Sequence, residues 1–362
     1  MLSGVKVLDL SRVLAGPLCT MMLGDLGADV LKVERPGAGD DTRGWGPPFD
    51  ARGDSAYFLS VNRNKLGITA DLGSQSDCLM LRTMALEADV VVENFRPGTL
   101  ERRGLGAADL CAANRGLVWC TITGFGPGSG RPGYDFVVQA ESGWMSITGE
   151  PEGVPMKHGV ALADVLAGKD ATVAILAALV ARSRTGAGRR VEVSLQGSAE
   201  AALINVAQNA LVSGRPSQRW GNAHANLVPY QLFDASDRPI VIAVGTDAQW
   251  RACVRALELP GLESDESLRT NAGRLAMRGR VVEAIGARVA KRPAEAWRET
   301  FEAAGVPCGL VKSVAEVLAT ADATALTGMP PSVPGTVRRR PPELGEHSAV
   351  VRARGWAAFE AA

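Results

Sequence analysis

Residues 5–34 read VKVLDLSRVLAGPLCTMMLGDLGADVLKVE, and their order decides the fold. Val5–Leu10 is a short β-rich run. After Ala15-Gly16-Pro17 a helical pattern passes through Met21, Met22, Leu23 and Leu26, and Ala28–Glu34 is a second β-rich run. A strand, a helix and a strand in so short a space imply a right-handed crossover between parallel strands. The rhythm continues outward: Gly67–Ala70, Ala88–Glu93 and Leu117–Thr123 read as strands, with helical segments near Asp77–Glu87 and Ala107–Ala113. The first domain is therefore expected to be a doubly wound α/β layer. Gly37–Asp54 interrupts it with a long polar loop, placed where such sheets hold ligands.

Further along, Arg190–Leu195 reads as a strand and Ser198–Val212 as a helix. The large domain is expected over 1–213 and a linker over 214–226. A smaller α+β domain follows over 227–318, with strands at Ile240–Val244 and Gly309–Val311 and a helix at Asp247–Leu257. Residues 319–362, dense in proline and arginine at first, are expected to return across the first domain. At 362 residues the chain is long enough for two cores.

Lysine plus arginine equals aspartate plus glutamate, 39 against 39, so no bulk field points to nucleic acid or an acidic membrane. The six cysteines form no C-x-x-C pair and read as reduced thiols of a cytoplasmic protein, and the three histidines are too scattered for a zinc site. No metal is expected. The N-terminal MLSGVKVLDL turns polar too early for a signal peptide, and the longest apolar run, Ala171–Ala181, is shorter than the ~20 residues a bilayer requires.

Val160–Gly188 (VALADVLAGKDATVAILAALVARSRTGAG) reads as one long, largely buried helix with Asp164 at its start. Two readings of Asp164 share that geometry. It is an N-cap, or it is a carboxylate kept ionised by backbone N–H groups and the helix dipole, suited to act as a nucleophile. The first strand–helix turn, SRVLAGPLC, lacks the G-x-G-x-x-G of a dinucleotide site but offers the N–H groups of Ala15 and Gly16. Arg35 ends the second strand, Asn94-Phe95-Arg96-Pro97-Gly98 follows another, and Arg102 and Arg103 come soon after. Together they describe a pocket for a phosphorylated nucleotide with a long arm. Gly124–Gly130 and Arg131-Pro132-Gly133-Tyr134-Asp135 form either a flexible turn or a backbone cradle for a developing oxyanion.

These residues resemble a family. VLDLSRVLAGP, ADVLKVERPGAGDDTRGWGPP, YFLSVNRNK, ADVVVENFRPGTLERRGLG, ITGFGPG, RPGYDFVVQAESG, MSITGEPEG, VALADVLAG, GNAHANLVPYQ and AAGVPCG are similar, in order, to the class III CoA-transferases, which include formyl-CoA transferase and carnitine CoA-transferase. The resemblance covers residues 1 to about 315 and returns at PPELGEH. It implies a Rossmann-like large domain, a smaller α+β domain, and ring-shaped protomers interlocked as a homodimer. It also implies transfer of CoA from an acyl-CoA to a small carboxylic acid through an aspartyl mixed anhydride and an aspartyl-CoA thioester. The aspartate falls on Asp164, with Tyr134 and Asp135 beside the reacting centre. Coenzyme A, as co-substrate rather than a tightly bound cofactor, would meet Val13, Leu14, Ala15, Arg35, Asn94, Phe95 and Arg102.

A carboxylate nucleophile needs no base to remove a proton, which suits a chain so poor in histidine. The 2-methylacyl-CoA racemases of the same family are the alternative, yet they use a histidine where this chain has Tyr134. A third reading is a CoA-binding homologue without turnover. GDDTRGWGPP, VNRNK and GNAHANLVPYQ look most like the branch using succinyl-CoA with glutarate or related dicarboxylates. Arg43 and Arg131 are the candidate cations for a free carboxylate, and Lys169 is expected to face solvent.

Overall fold

The structure, a computed structural model, describes residues 1–360. Six short strands build its main sheet: β1 (Lys6–Asp9), β2 (Asp29–Glu34), β3 (Lys65–Thr69), β4 (Val90–Glu93), β5 (Val118–Thr123) and β6 (Arg190–Ser194). All neighbours are parallel, in the order β3-β2-β1-β4-β5-β6. Successive side chains point to opposite faces, and both faces are buried, so the strands read as nearly unbroken apolar runs. Leu8, Leu31, Leu66 and Val91 pack under the helices Gln75–Leu86, Ala107–Ala113 and Ser348–Arg354. Val7, Val30, Val90, Val92 and Val118 pack under helix α1 (Ala15–Asp25) and the long helix Leu162–Thr185. The chain order reverses between β1 and β4, which opens a crevice outside their carboxyl ends.

The chain forms two packed units. Among the described residues, one comprises 1–145, 157–215 and 321–360, and the other 146–156 and 216–320. The second unit holds an antiparallel sheet of β7 (Tyr230–Asp234), β8 (Pro239–Ala243) and β9 (Cys308–Leu310) over a core that includes Trp250, Ile285, Trp297 and Phe301. Its segment 146–156 comes from the middle of the stretch that sequence assigns to the first domain. That segment is held by Arg219, whose guanidinium donates to the carbonyls of Glu150 and Gly153.

Three elements differ from the sequence expectation. β7 has no counterpart in it, because Tyr-Gln-Leu-Phe-Asp carries no β-branched residue and pairs on one side only. Ser198–Val212 is two helices, Leu195–Ala201 and Ile204–Ser213, separated where Ile204 takes a φ of +32°. The long helix is less buried than its composition suggests, with Val173 66% and Val180 61% exposed.

The tail is fixed to the first unit by the VNRNK stretch. Arg63 donates to both carboxylate oxygens of Asp25 and to the carbonyl of Thr327, while the Asn64 side chain accepts from the N–H groups of Arg338 and Arg339. Gly67 on edge strand β3 leaves room for the Pro342 ring, which a Cβ would meet at 2.8 Å. Its N–H donates to His347 Nδ1. An otherwise open sheet edge is thereby covered. No helix among the described residues is long and apolar enough to cross a membrane.

Candidate active site

The turn after β1 carries the first half of the site. Val13 has a φ of +72°, a left-handed conformation that costs a β-branched residue about 1–3 kcal/mol. The Asn94 side chain brackets the preceding residue, accepting from Arg12 N–H at 2.9 Å and donating to the Arg12 carbonyl at 2.7 Å. The Asp40 carboxylate accepts from Val13 N–H at 3.2 Å. Helix α1 starts immediately afterwards, and its first residue, Ala15, lines the same cleft as Asp164 with its N–H close enough to favour the ionised carboxylate.

The Leu162–Thr185 helix carries the second half. Asp164 is its third residue, not its cap, and the capping position is held by Ala161, which offers no side-chain acceptor. The free N–H of Ala163 goes instead to Asp135 Oδ1 at 2.8 Å, and the N–H of Asp164 itself points to the same oxygen at 3.4 Å. Asp135 therefore performs the capping that the sequence reading offered to Asp164. Its other oxygen accepts from Gln139 at 2.7 Å, and buried Gln139 accepts in turn from His158 N–H. Relieved of the cap, the Asp164 side chain faces the crevice.

Burial pushes the Asp164 carboxyl up from its ordinary value to about 7, the negative Asp135 adds to this, and the Ala15 N–H opposes it. The expectation of a carboxylate held fully ionised is thus corrected. It holds its proton more tightly than an ordinary carboxyl, because desolvation and a second carboxylate outweigh one donor. Close approach of the two halves depends on Gly168, one turn beyond Asp164. A Cβ there would lie 2.7 Å from the Ala15 carbonyl oxygen.

The crevice is a cleft of about 220 Å³ lined by Val13, Ala15, Asn94, Gly133, Tyr134 and Asp164 among others. Arg12 and Phe95 line it too, and both also line a neighbouring, more apolar cleft of about 180 Å³ that contains Arg35, Leu72 and Leu100. Most of the sequence-predicted residues are thus gathered around two adjoining clefts. Arg35 stands at the outer one, ion-paired to Asp41 at 2.5 Å. Leu14 instead buries its side chain with Met21 and Val61, and Arg102 lies outside both linings, leaning on Gly98.

Of the two candidate cations, Arg43 is buried and fully engaged, by Glu34 through two bonds of 2.7 Å, by Asp54, and by the face of Phe58 at 3.7 Å. It serves the fold, and its assignment to a substrate carboxylate is corrected. Arg131 does line the cleft, stacked 4.0 Å over Phe125 and paired with Glu141. Lys169 is exposed. The glycine loop is closed at its base by Gly124 and Gly133, where a Cβ on either would meet the other's Cα within 2.5 Å. Its Gly126 N–H is taken by Thr123.

Sequence reading missed Arg12, Asp40, Tyr57 and Gln139. Tyr57 packs beside Leu14 and Val61, and its hydroxyl is pushed up to about 12, first by burial and then by the carboxylates of Asp164, Asp135 and Asp40. It stays a neutral phenol. Arg12 and Tyr57 both lie within the motifs quoted above, yet no local pattern marks Arg12 as lining the cleft or Tyr57 as lying within reach of the Asp164 charge. The histidines are placed elsewhere: His158 edge-on to Trp144, His224 against Tyr230, His347 on β3. Among the described residues no group of three or more His, Cys, Asp or Glu could hold a metal ion.

A carboxylate of raised pKa, set in a cleft beside a backbone N–H and adjoining a second, more apolar cleft, suits acyl transfer to a carboxylate nucleophile. The sequence matches the model of CoA-transferase family III over residues 2–348, and the chain belongs to that family, whose enzymes move CoA between an acyl-CoA and a carboxylic acid. Among curated relatives it is 44% identical to the mouse succinyl-CoA:glutarate CoA-transferase, over 88% of this chain and 74% of the relative. It is 40% identical to the succinate–glutarate CoA-transferase of Agrobacterium fabrum, over 97% and 95%. Among solved structures, a CAIB/BAIF family protein from Brucella suis aligns with a TM-score of 0.85 at 39% identity, covering 97% of this chain and 98% of that one.

Proposed function

We propose that the protein transfers CoA from succinyl-CoA to glutarate or a related dicarboxylate, with Asp164 as the nucleophile. The observation that carries this reading is the release of Asp164 from the cap by Asp135, which leaves a carboxylate of raised pKa facing the cleft. Ionised Asp164 attacks the thioester carbonyl, the C–S bond breaks, and CoA thiolate leaves a mixed anhydride. Attack by the thiolate on the aspartyl carbonyl releases succinate and forms an aspartyl-CoA thioester. The acceptor carboxylate then attacks that thioester, expelling thiolate and forming a second anhydride. Thiolate attack on its acceptor-derived carbonyl yields the new acyl-CoA and restores Asp164. No step needs a base. The tetrahedral oxyanions need donors, each worth about 3–4 kcal/mol when well placed, and the candidates are the Ala15 N–H, which lines the cleft, and the neutral Tyr57 hydroxyl, on which the Asp164 charge acts.

CoA would lie along the two clefts, its nucleotide end beside Arg35, Leu72 and Phe95 and its thioester beside Val13 and Ala15. Arg131 is the cation retained for the acceptor's distal carboxylate. The relatives' dicarboxylate substrates support this class of acid. A homodimer is supported by the Ile204–Ser213 helix, which has no buried residue although Ile204, Leu211 and Val212 are each more than 70% exposed. Interlocked rings, a Rossmann-like nucleotide domain and domain limits at 213, 226 and 318 remain part of the same reading. A cytoplasmic location fits the six free cysteines.

Incubation with succinyl-CoA and a panel of C3–C6 mono- and dicarboxylic acids tests the proposal. A new acyl-CoA with glutarate, and none with monocarboxylates, is the expected result. Deuterium entry at an α-carbon of 2-methylacyl-CoA without acyl exchange would instead establish the racemase.

A further inference from the structure

The strained turn before α1 must be held by something, since glycine would adopt its conformation freely and valine does not. Two buried charges grip it from either side. Asp40, whose side chain is fully buried, accepts from Val13 N–H. Lys32, equally buried, donates to the Ser11 carbonyl at 3.2 Å and to Asp40 at 3.0 Å. Asp40 is itself located by three further bonds: its carboxylate accepts from the N–H and hydroxyl of Thr42, and its own N–H donates to Glu34. Neither Asp40 nor Lys32 lines the cleft that holds Asp164; both line the neighbouring one.

We propose that the buried Asp40–Lys32 pair is a positioning device for the nucleophile: it holds Val13 left-handed and thereby aims the Ala15 N–H at the Asp164 carboxylate. This inference rests on Asp164 being the nucleophile. Its content is that two residues without contact to the reacting atoms set the direction of the donor that faces them. Desolvated ion pairs hold fixed geometry, and donor displacements of about 1 Å near a reacting centre cost on the order of 10²-fold in rate. The charged or titratable groups around Asp164 are Asp135 and Tyr57, whose charges or hydroxyl lie near it, and Arg12, Arg96, Arg131 and Tyr134, which share its cleft.

The test is a double-mutant cycle on the full chain with Val13→Gly, Asp40→Asn and the pair together. Asp40→Asn is expected to lower kcat about 10²-fold, with KM for acyl-CoA changing less than about 3-fold. It should also move the midpoint of the kcat/KM–pH profile upward, because ionised Asp164 loses its donor. In the Val13→Gly background the same substitution should cost about 10-fold or less, since glycine does not need the clamp. Equal costs in both backgrounds, an unmoved midpoint, or an effect on KM alone would overturn the inference. If Asp40→Asn does not fold, Lys32→Met with Asp40→Asn removes both buried charges together. The same loss of kcat and the same midpoint shift are expected of it, and wild-type kcat would refute the proposal. Covalent labelling of Asp164 separates the two levels: a labelled Asp164 with an additive cycle sinks this inference alone, and an unlabelled one sinks the reading beneath it as well.

Discussion

At the scale of single residues, Asp164 is where burial and chemistry conflict. Its carboxyl titrates near 7 in the fold against an ordinary 3.8, so the unfolded chain releases this proton first as pH rises. Stability is lost between about pH 4 and 7 and stays lower above that range. Asp164→Asn, which does not titrate, is therefore expected to melt higher than the wild type. The gain should be small at pH 4 and full at pH 8, on the order of 2–4 kcal/mol; calorimetry at the two pH values checks it, and an equal gain at both would contradict it. The same ionisation would supply the proposed nucleophile, so kcat/KM should rise with pH and level off above about 7. The two arginines separate in the same way. Arg43→Ala leaves buried Glu34 and Asp54 without their cation and should cost about 3–5 kcal/mol of stability. Arg131→Ala removes an exposed pair, so it should leave the melting temperature nearly unchanged and raise KM for the acid.

At the scale of elements, the site exists because two helices meet at their first turns. Gly168→Ala would set a methyl 2.7 Å from the Ala15 carbonyl oxygen, and backbone cannot yield there as a flexible side chain could. A loss of about 1–3 kcal/mol is expected, with a fall in kcat larger than the fall in folded fraction explains; thermal melts beside steady-state rates distinguish the two. Much at this scale was legible in the sequence. The periods of β1, α1 and β2 placed the turn, and the apolar run after Val160 placed the helix that carries Asp164. What was not legible is contact across elements. The sequence puts Asp164 near a helix start, where an aspartate is usually a cap, and only the structure reveals that Asp135 caps it from another helix. Arg43 looked like a free cation in a polar loop for the same reason, since Glu34 and Asp54 reach it only once the loop is folded.

At the scale of the whole molecule, six parallel strands in a doubly wound order were foreseeable from the alternation of β-rich and helical runs. The discontinuity of the units was not, because residues 146–156 leave one body for the other and return within a dozen positions, with no change of composition to announce it. The exposed face of the Ile204–Ser213 helix carries the prediction proper to this scale. Leu211→Lys with Val212→Asp should convert a dimer to monomer in sedimentation velocity, and a wild type that sediments as a monomer would contradict the proposed assembly.

The most direct test of the account is covalent. Wild-type protein treated with succinyl-CoA and then hydroxylamine, digested and read by mass spectrometry, should carry a hydroxamate on Asp164 and on no other carboxylate, and Asp164→Ala should carry none and lose transfer by at least about 10³-fold. An unmodified Asp164 in protein that is turning over, or an Asp164→Ala protein that still exchanges acyl groups, would contradict it.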